Sequence, residues 1–194
     1  MYSIILDSSN TSLTVGVAKD HQLLDSISYE AWQQQSEYMI PELNKFMEKY
    51  DINKDNIEGV IVAIGPGSYT GVRISITIAK TIAAAIHCKV YAISSLQAEK
   101  DGKNPSICVI NARSNRSYIG VYENEKVIMN DCIMTNDEVK KYINEHPNYS
   151  LCGNATYLGL EGKKSNLASE MLSLIEFISP VDNPLALKPV YMKD

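Results

Sequence analysis

Metal-binding patterns are missing from this chain. Its four cysteines, Cys88, Cys108, Cys132 and Cys152, stand 20 or more residues apart with no Cys-x-x-Cys pair, which removes the usual nucleus of a zinc site or redox couple and points to reduced thiols. His21, His87 and His146 are equally scattered, and no HxxxH or HExxH sets two imidazoles on one helical face. No metal and no cofactor are expected. No Ser or Cys with a marked His partner and no recognisable carboxylate pair is present either, so no catalytic residue is assigned. No apolar run reaches the roughly 18 residues that a membrane-crossing helix needs, and the opening MYSIILDSSN has no basic region before its apolar residues. The expectation is a cytoplasmic protein without membrane contact. Positive charge is also short, with 18 Lys and Arg against 23 Asp and Glu and a net charge of -5. Broad, independent nucleic-acid binding needs cations to neutralise phosphates, so contact with RNA is expected only within a complex.

What is present is an ordinary globular composition, 45% hydrophobic and 21% charged over 194 residues, enough for one domain or two small lobes. YSIIL, LTVGVA and LLDSISY (2–6, 13–18, 23–29) read as three strands separated by polar turns. SEYMIPELNKFMEKY (36–50) has helical apolar spacing, with Ser36 as its cap and Pro41 near its first turn. GVIVAIG (59–65) is continuously apolar, as a strand covered on both faces must be. A long helix to His87 and the strand VYAIS follow. The second half repeats this order: SICVINAR, SYIGVYE and KVIMNDCIM as strands, TNDEVKKYINEH as a capped helix, SLCGN as a short strand and NLASEMLSLIEFI as a helix. The predicted lobes run over 1–98 and 104–194. A duplicated βββαβα unit resembles the ribonuclease H-like repeat of the actin-like (ASKHA) α/β superfamily, in which nucleotide sits between the lobes.

GPGSYTGVR (65–73) lies between strand and helix. It is neither a Walker A loop, having no lysine before Lys80, nor GxGxxG, because Thr70 stands before Gly71. Two readings remain: a tight strand-to-helix turn, or an anion seat at a helix N-terminus. Asp7 in DSSN stands where nucleotide-using relatives of the superfamily place Asp-x-Gly, but Ser9 replaces that glycine. Weak or vestigial nucleotide binding would involve Asp7, Ser9, Gly65, Gly67 and Ser68.

The helix after this loop has more apolar surface than one buried face requires. Ile74, Ile78, Ile82 and Ile86 form one stripe, and Ser75, Ala79 and Ala83 form a small-residue stripe beside it. The preceding helix adds Met39, Ile40, Leu43 and Met47. Either a second polypeptide covers these positions, a partner or another copy of the chain, or the chain's own second lobe does.

IGPGSYTGVRISITIAKTIA resembles the GPGSFTGLR segment of the TsaB (YeaZ) family of tRNA threonylcarbamoyladenosine synthesis. QSEYMIPEL, ICVINARSNRSYIGVYE and the terminal LKPVYMKD resemble further family segments, covering the first lobe well and the second patchily. Gln35, Asn111 and Arg116 replace the family's usual His, Asp and Glu, and the region after Asn154 is short, implying a reduced second lobe. The resemblance implies a non-catalytic paralogue that activates the threonylcarbamoyl-transferring TsaD-like subunit through first-lobe helices, joined by a TsaE-like ATPase. The surface implied is Met39, Ile40, Leu43, Met47, Ile74, Ser75, Ile78, Ala79, Ile82 and Ala83. Competing expectations are an active actin-like ATPase or phosphotransferase, and a peptidase.

Overall fold

The opening strands are apolar at consecutive positions because both of their faces are covered. The computed structural model describes residues 1–102 and 104–192 of the chain; Lys193 and Asp194, the end of LKPVYMKD, lie outside the described residues. Strands β1 (Tyr2–Asp7), β2 (Ser12–Lys19) and β3 (Gln22–Glu30) form an antiparallel meander. After helix α1 (Gln35–Lys49), β4 (Ile57–Ala63) pairs parallel to β1. After α2 (Tyr69–Ile86), β5 (Lys89–Ile93) pairs parallel to β4, giving the order β3-β2-β1-β4-β5. This is the predicted βββαβα lobe.

Period-two alternation divides its core. Ile4, Leu6, Val15, Val60 and Val62 face α1 and α2, whereas Ile5, Ile61 and Ala63 face the other way. α1 starts at Gln35, with Gln34 rather than Ser36 in the cap position and without a side-chain cap bond. Pro41 lies in its second turn, not the first, yet the helix runs unbroken to Lys49. Pro41 is exposed, so the carbonyl it leaves without an amide partner sits on a solvated face.

A short α3 (Ser95–Ala98) leads into the second sheet of β6 (Ser106–Arg113), β7 (Arg116–Glu123), β8 (Lys126–Thr135) and β9 (Ser150–Cys152), ordered β8-β7-β6-β9. The strands β6, β7 and β8 are antiparallel, and β9 is parallel to β6. Helix α4 (Asn136–Glu145) carries the predicted cap: Thr135 Oγ1 accepts from Glu138 N while Glu138 accepts from Thr135 N. The lobe is the reduced one, with four strands against five.

The last helix departs from the sequence reading. α5 spans only Leu167–Leu174 and does not cover the second sheet. Ala168, Met171, Leu172 and Leu174 pack on Ile5, Ile61, Ala63 and Ile93, the otherwise uncovered face of the first sheet. Gly16 permits this approach, since a Cβ there would stand 3.1 Å from the Ala168 methyl. Lys100 Nζ meets Glu170 at 2.9 Å in a largely buried ion pair that ties the lobe connection to α5. The tail continues over the first lobe: Val181 N donates to Val90 O and Val190 N to Ile64 O, both at 2.8 Å. A unit drawn from 104 to 194 therefore includes a helix and tail whose packing partners belong to the first sheet.

Met171→Ala tests this arrangement. Its side chain is fully buried, so the substitution is expected to lower stability by about 2 to 5 kcal/mol. Urea unfolding should stay a single transition for both lobes; loss of the second lobe alone would contradict the packing.

Candidate functional site

The glycine loop is bound to the chain's own backbone. Ser68 N donates to Ser9 O at 2.6 Å, Ser8 Oγ donates to Gly71 O at 2.7 Å, and Ser9 N donates to Asp7 Oδ1 at 2.8 Å. A Cβ on Gly67 would collide with the Ser9 carbonyl, and one on Gly71 with the Ser8 carbonyl. Gly65 has φ +100° and faces the Val190 carbonyl, a position only glycine takes without strain. Ser68 caps α2 by accepting from Gly71 N at 3.2 Å. The five positions proposed for nucleotide do come together, but as a turn stitched to the end of β1, so the glycines admit backbone where other loops admit phosphate.

Beside this turn a cleft of about 730 Å³ opens between the lobes. Its walls are the Asn10–Thr11 turn, residues 32–36, the start of α2 and the end of β6. Arg113, from the second lobe, sets its guanidinium 5.7 Å from the centre of the Trp32 ring of the first. Neither residue stood out in the sequence; the one available signal was the polar ARSNRS turn joining β6 to β7.

Two carboxyl groups lie deeper. Burial raises the pKa of Asp7, against the pull of hydrogen bonds from Ser9. Glu99 is only partly covered as a residue, but its carboxyl group is enclosed; burial first, and the nearby Asp7 charge second, push it up to about 8. Among the described residues no three His, Cys, Asp or Glu side chains are grouped to hold a metal ion, and no helix is long and apolar enough to cross a membrane.

Helices α1 and α2 lie over one face of the first sheet. Of the ten positions expected on a partner surface, Met39, Leu43, Ser75, Ala79 and Ala83 are buried by the chain itself. The small-residue stripe is a groove for the sheet rather than for a foreign helix: Ser75 Oγ sits 3.5 Å from Ala63 O of β4, and small side chains let α2 come that close. Ile40 is exposed, while Met47, Ile74, Ile78 and Ile82 are half-buried. The main packing partners of α2 are β1, β4, β5, α1 and the turn Pro184–Ala186. The half-buried row thus lies beside neighbours from its own lobe and the tail.

A family model described as "TsaD: tRNA N6-adenosine threonylcarbamoyltransferase" matches residues 29–171, nearly three quarters of the chain. The chain belongs to this family. A relative from Mycoplasma genitalium, "Uncharacterized protein MG208", is 28% identical over 199 residues, covering 100% of this chain and 95% of that protein. The "tRNA threonylcarbamoyladenosine biosynthesis protein TsaB" of Bacillus subtilis is 29% identical over 129 residues, covering 63% of this chain and 56% of its own length. The solved "YeaZ from Pseudomonas aeruginosa" superposes with a TM-score of 0.81 at 19% identity, over 98% of this chain and 99% of that one. The resemblance to TsaB and YeaZ read from GPGSYTGVR is borne out, and the expected two-lobed α/β fold is that of the solved YeaZ.

Glu99 gives this site a pH signature. The unfolded chain releases that proton near 4.5 and the folded chain near 8, so between these values the folded state holds more protons and its stability falls as pH rises. Glu99→Gln should match the wild type at pH 4 and exceed it increasingly up to pH 8 in urea midpoints. A constant difference across that range would contradict the enclosed carboxyl.

Proposed function

We propose that this chain is a non-catalytic, activating subunit in tRNA threonylcarbamoyladenosine synthesis. In this reading it binds a TsaD-like subunit through the accessible edge of α1 and α2, a TsaE-like ATPase joins the pair, and tRNA is modified by the partner. Carrying the reading is the row Ile74, Ile78 and Ile82, each half-buried within the chain, with exposed Ile40 on the neighbouring helix. Completing the burial of several aliphatic side chains, at about 1.5 to 3 kcal/mol for each fully buried one, favours a standing partner. A homodimer would use the same edge in isolation. The filled space between the DSS turn and the glycine loop supports a role without phosphoryl chemistry, with nucleotide held weakly at most. A cytoplasmic location completes the proposal.

Co-purification with the TsaD-like subunit of the same organism tests it. Ile78→Glu should weaken the complex at least about 100-fold, roughly 2.7 kcal/mol, with an unchanged circular dichroism spectrum. A complex that survives this substitution, or a wild-type chain that captures no TsaD-like subunit, would sink the proposal.

A further inference from the structure

The interlobe cleft has a chemistry that helix docking leaves unused. In a protein of net charge -5, no Asp or Glu lines it among the described residues, and Arg113 is the one formally charged wall residue among them. Its rim carries two arginine-on-aromatic pairs. Arg113 lies over Trp32, and Arg73 lies 5.3 Å from the Tyr69 ring centre while donating to Tyr69 Oη at 2.8 Å. Tyr191 stacks on Tyr69 with centroids 4.9 Å apart. Trp32 and Tyr69 remain 42% and 61% exposed, so ring surface is left for another planar group.

Hydrogen-bonding groups in the wall complement these rings. Gln35 is 4% exposed and lines the cleft; its Nε2 donates to the Asn10 and Thr11 carbonyls, and its Oε1 accepts no hydrogen bond from the described residues. Asn10 and Asn111 each engage Oδ1 with a backbone N–H, of Thr11 and Arg113 respectively, leaving their NH2 groups as donors. Donors and an acceptor beside stacking rings and an arginine are the means by which proteins hold an unpaired base and its phosphate.

We propose that this cleft binds single-stranded RNA, stacking an unpaired base at Trp32 with Arg113 on its phosphate and the next nucleotide on Tyr69. Two platforms at one rim suit a strand rather than a mononucleotide, and a duplex, whose bases are already stacked on each other, cannot use them. The low cation count still precludes broad binding; the site is local, and among the described residues no carboxylate lines it, Glu30 lying behind Thr11, whose Oγ1 donates to it. Only the choice of RNA over another strand rests on the pathway reading above.

Trp32 is the single tryptophan of the chain, so its fluorescence reports the site directly. The isolated full chain is titrated at about 50 mM salt, where phosphate contacts are strong, with an unstructured RNA heptamer, the same sequence as a duplex, ATP, and inorganic polyphosphate. The heptamer should quench saturably. Arg113→Gln, at an exposed position, should weaken it at least about tenfold, and Trp32→Leu should do the same to a dye-labelled heptamer read by anisotropy. Absence of saturable quenching overturns the proposal. So does equal binding of polyphosphate or duplex, which would reduce it to charge, and ATP binding as tight as the heptamer, which would make the cleft a mononucleotide pocket. The titration needs no second protein, so its failure leaves the co-purification result standing, and the converse holds.

Discussion

The first sheet must be covered on both faces, and the rest of the molecule follows from that. β1 and β4 are buried at nearly every position, and leaving one face wet would expose Ile4 or its neighbour Ile5, which point to opposite faces. One face is closed by the two crossover helices of its own lobe. The other is closed only when α5 returns from beyond the second sheet and places Met171 and Leu174 against Ile5 and Ile61. The second sheet ends at β9, the turn Thr156–Leu158 still packs on its core, and the next α-helix is used on the first sheet.

This return fixes how the lobes meet. Lys100 and Glu170 join the connection to α5, and Asp131 of β8 accepts from Ser94 Oγ at 2.6 Å at the entry to α3. Leu96 of α3 is buried against the second sheet, while Ala98 two residues later is buried with α5. The lobes are therefore held at their base, and the space on the other side of the connection remains as the cleft between Trp32 and Arg113. Glu99 lies in the same connection, enclosed by elements of both lobes, which is why its carboxyl keeps its proton to about pH 8.

The glycine loop shows how one motif supports two physical readings. Glycines after a buried strand permit close backbone approach, but spacing does not say what approaches. Here the answer is Ser8 and Ser9, held by Ser68 N and Gly71 O. That contact sets the start of α2 and thereby the phase of the helix. Val72, Ile76, Ala79 and Ala83 then turn to the sheet, while Ile74, Ile78 and Ile82 turn to the edge.

The sequence by itself determined the strands and helices of both lobes, their βββαβα order, the Thr135 cap and the family, because periodicity, capping chemistry and the GPGSYTGVR segment are local. It also determined that α2 has more apolar surface than one face needs. Only the tertiary structure decided which half of that surface the chain keeps for itself, where α5 packs, and that Trp32 meets Arg113 across a cleft. Those outcomes depend on tertiary contacts, from Ser75 on Ala63, 12 positions apart, and Ser8 on Gly71, 63 apart, to Trp32 with Arg113 and α5 on β1, farther still, and local patterns state a need for burial without naming the surface that meets it.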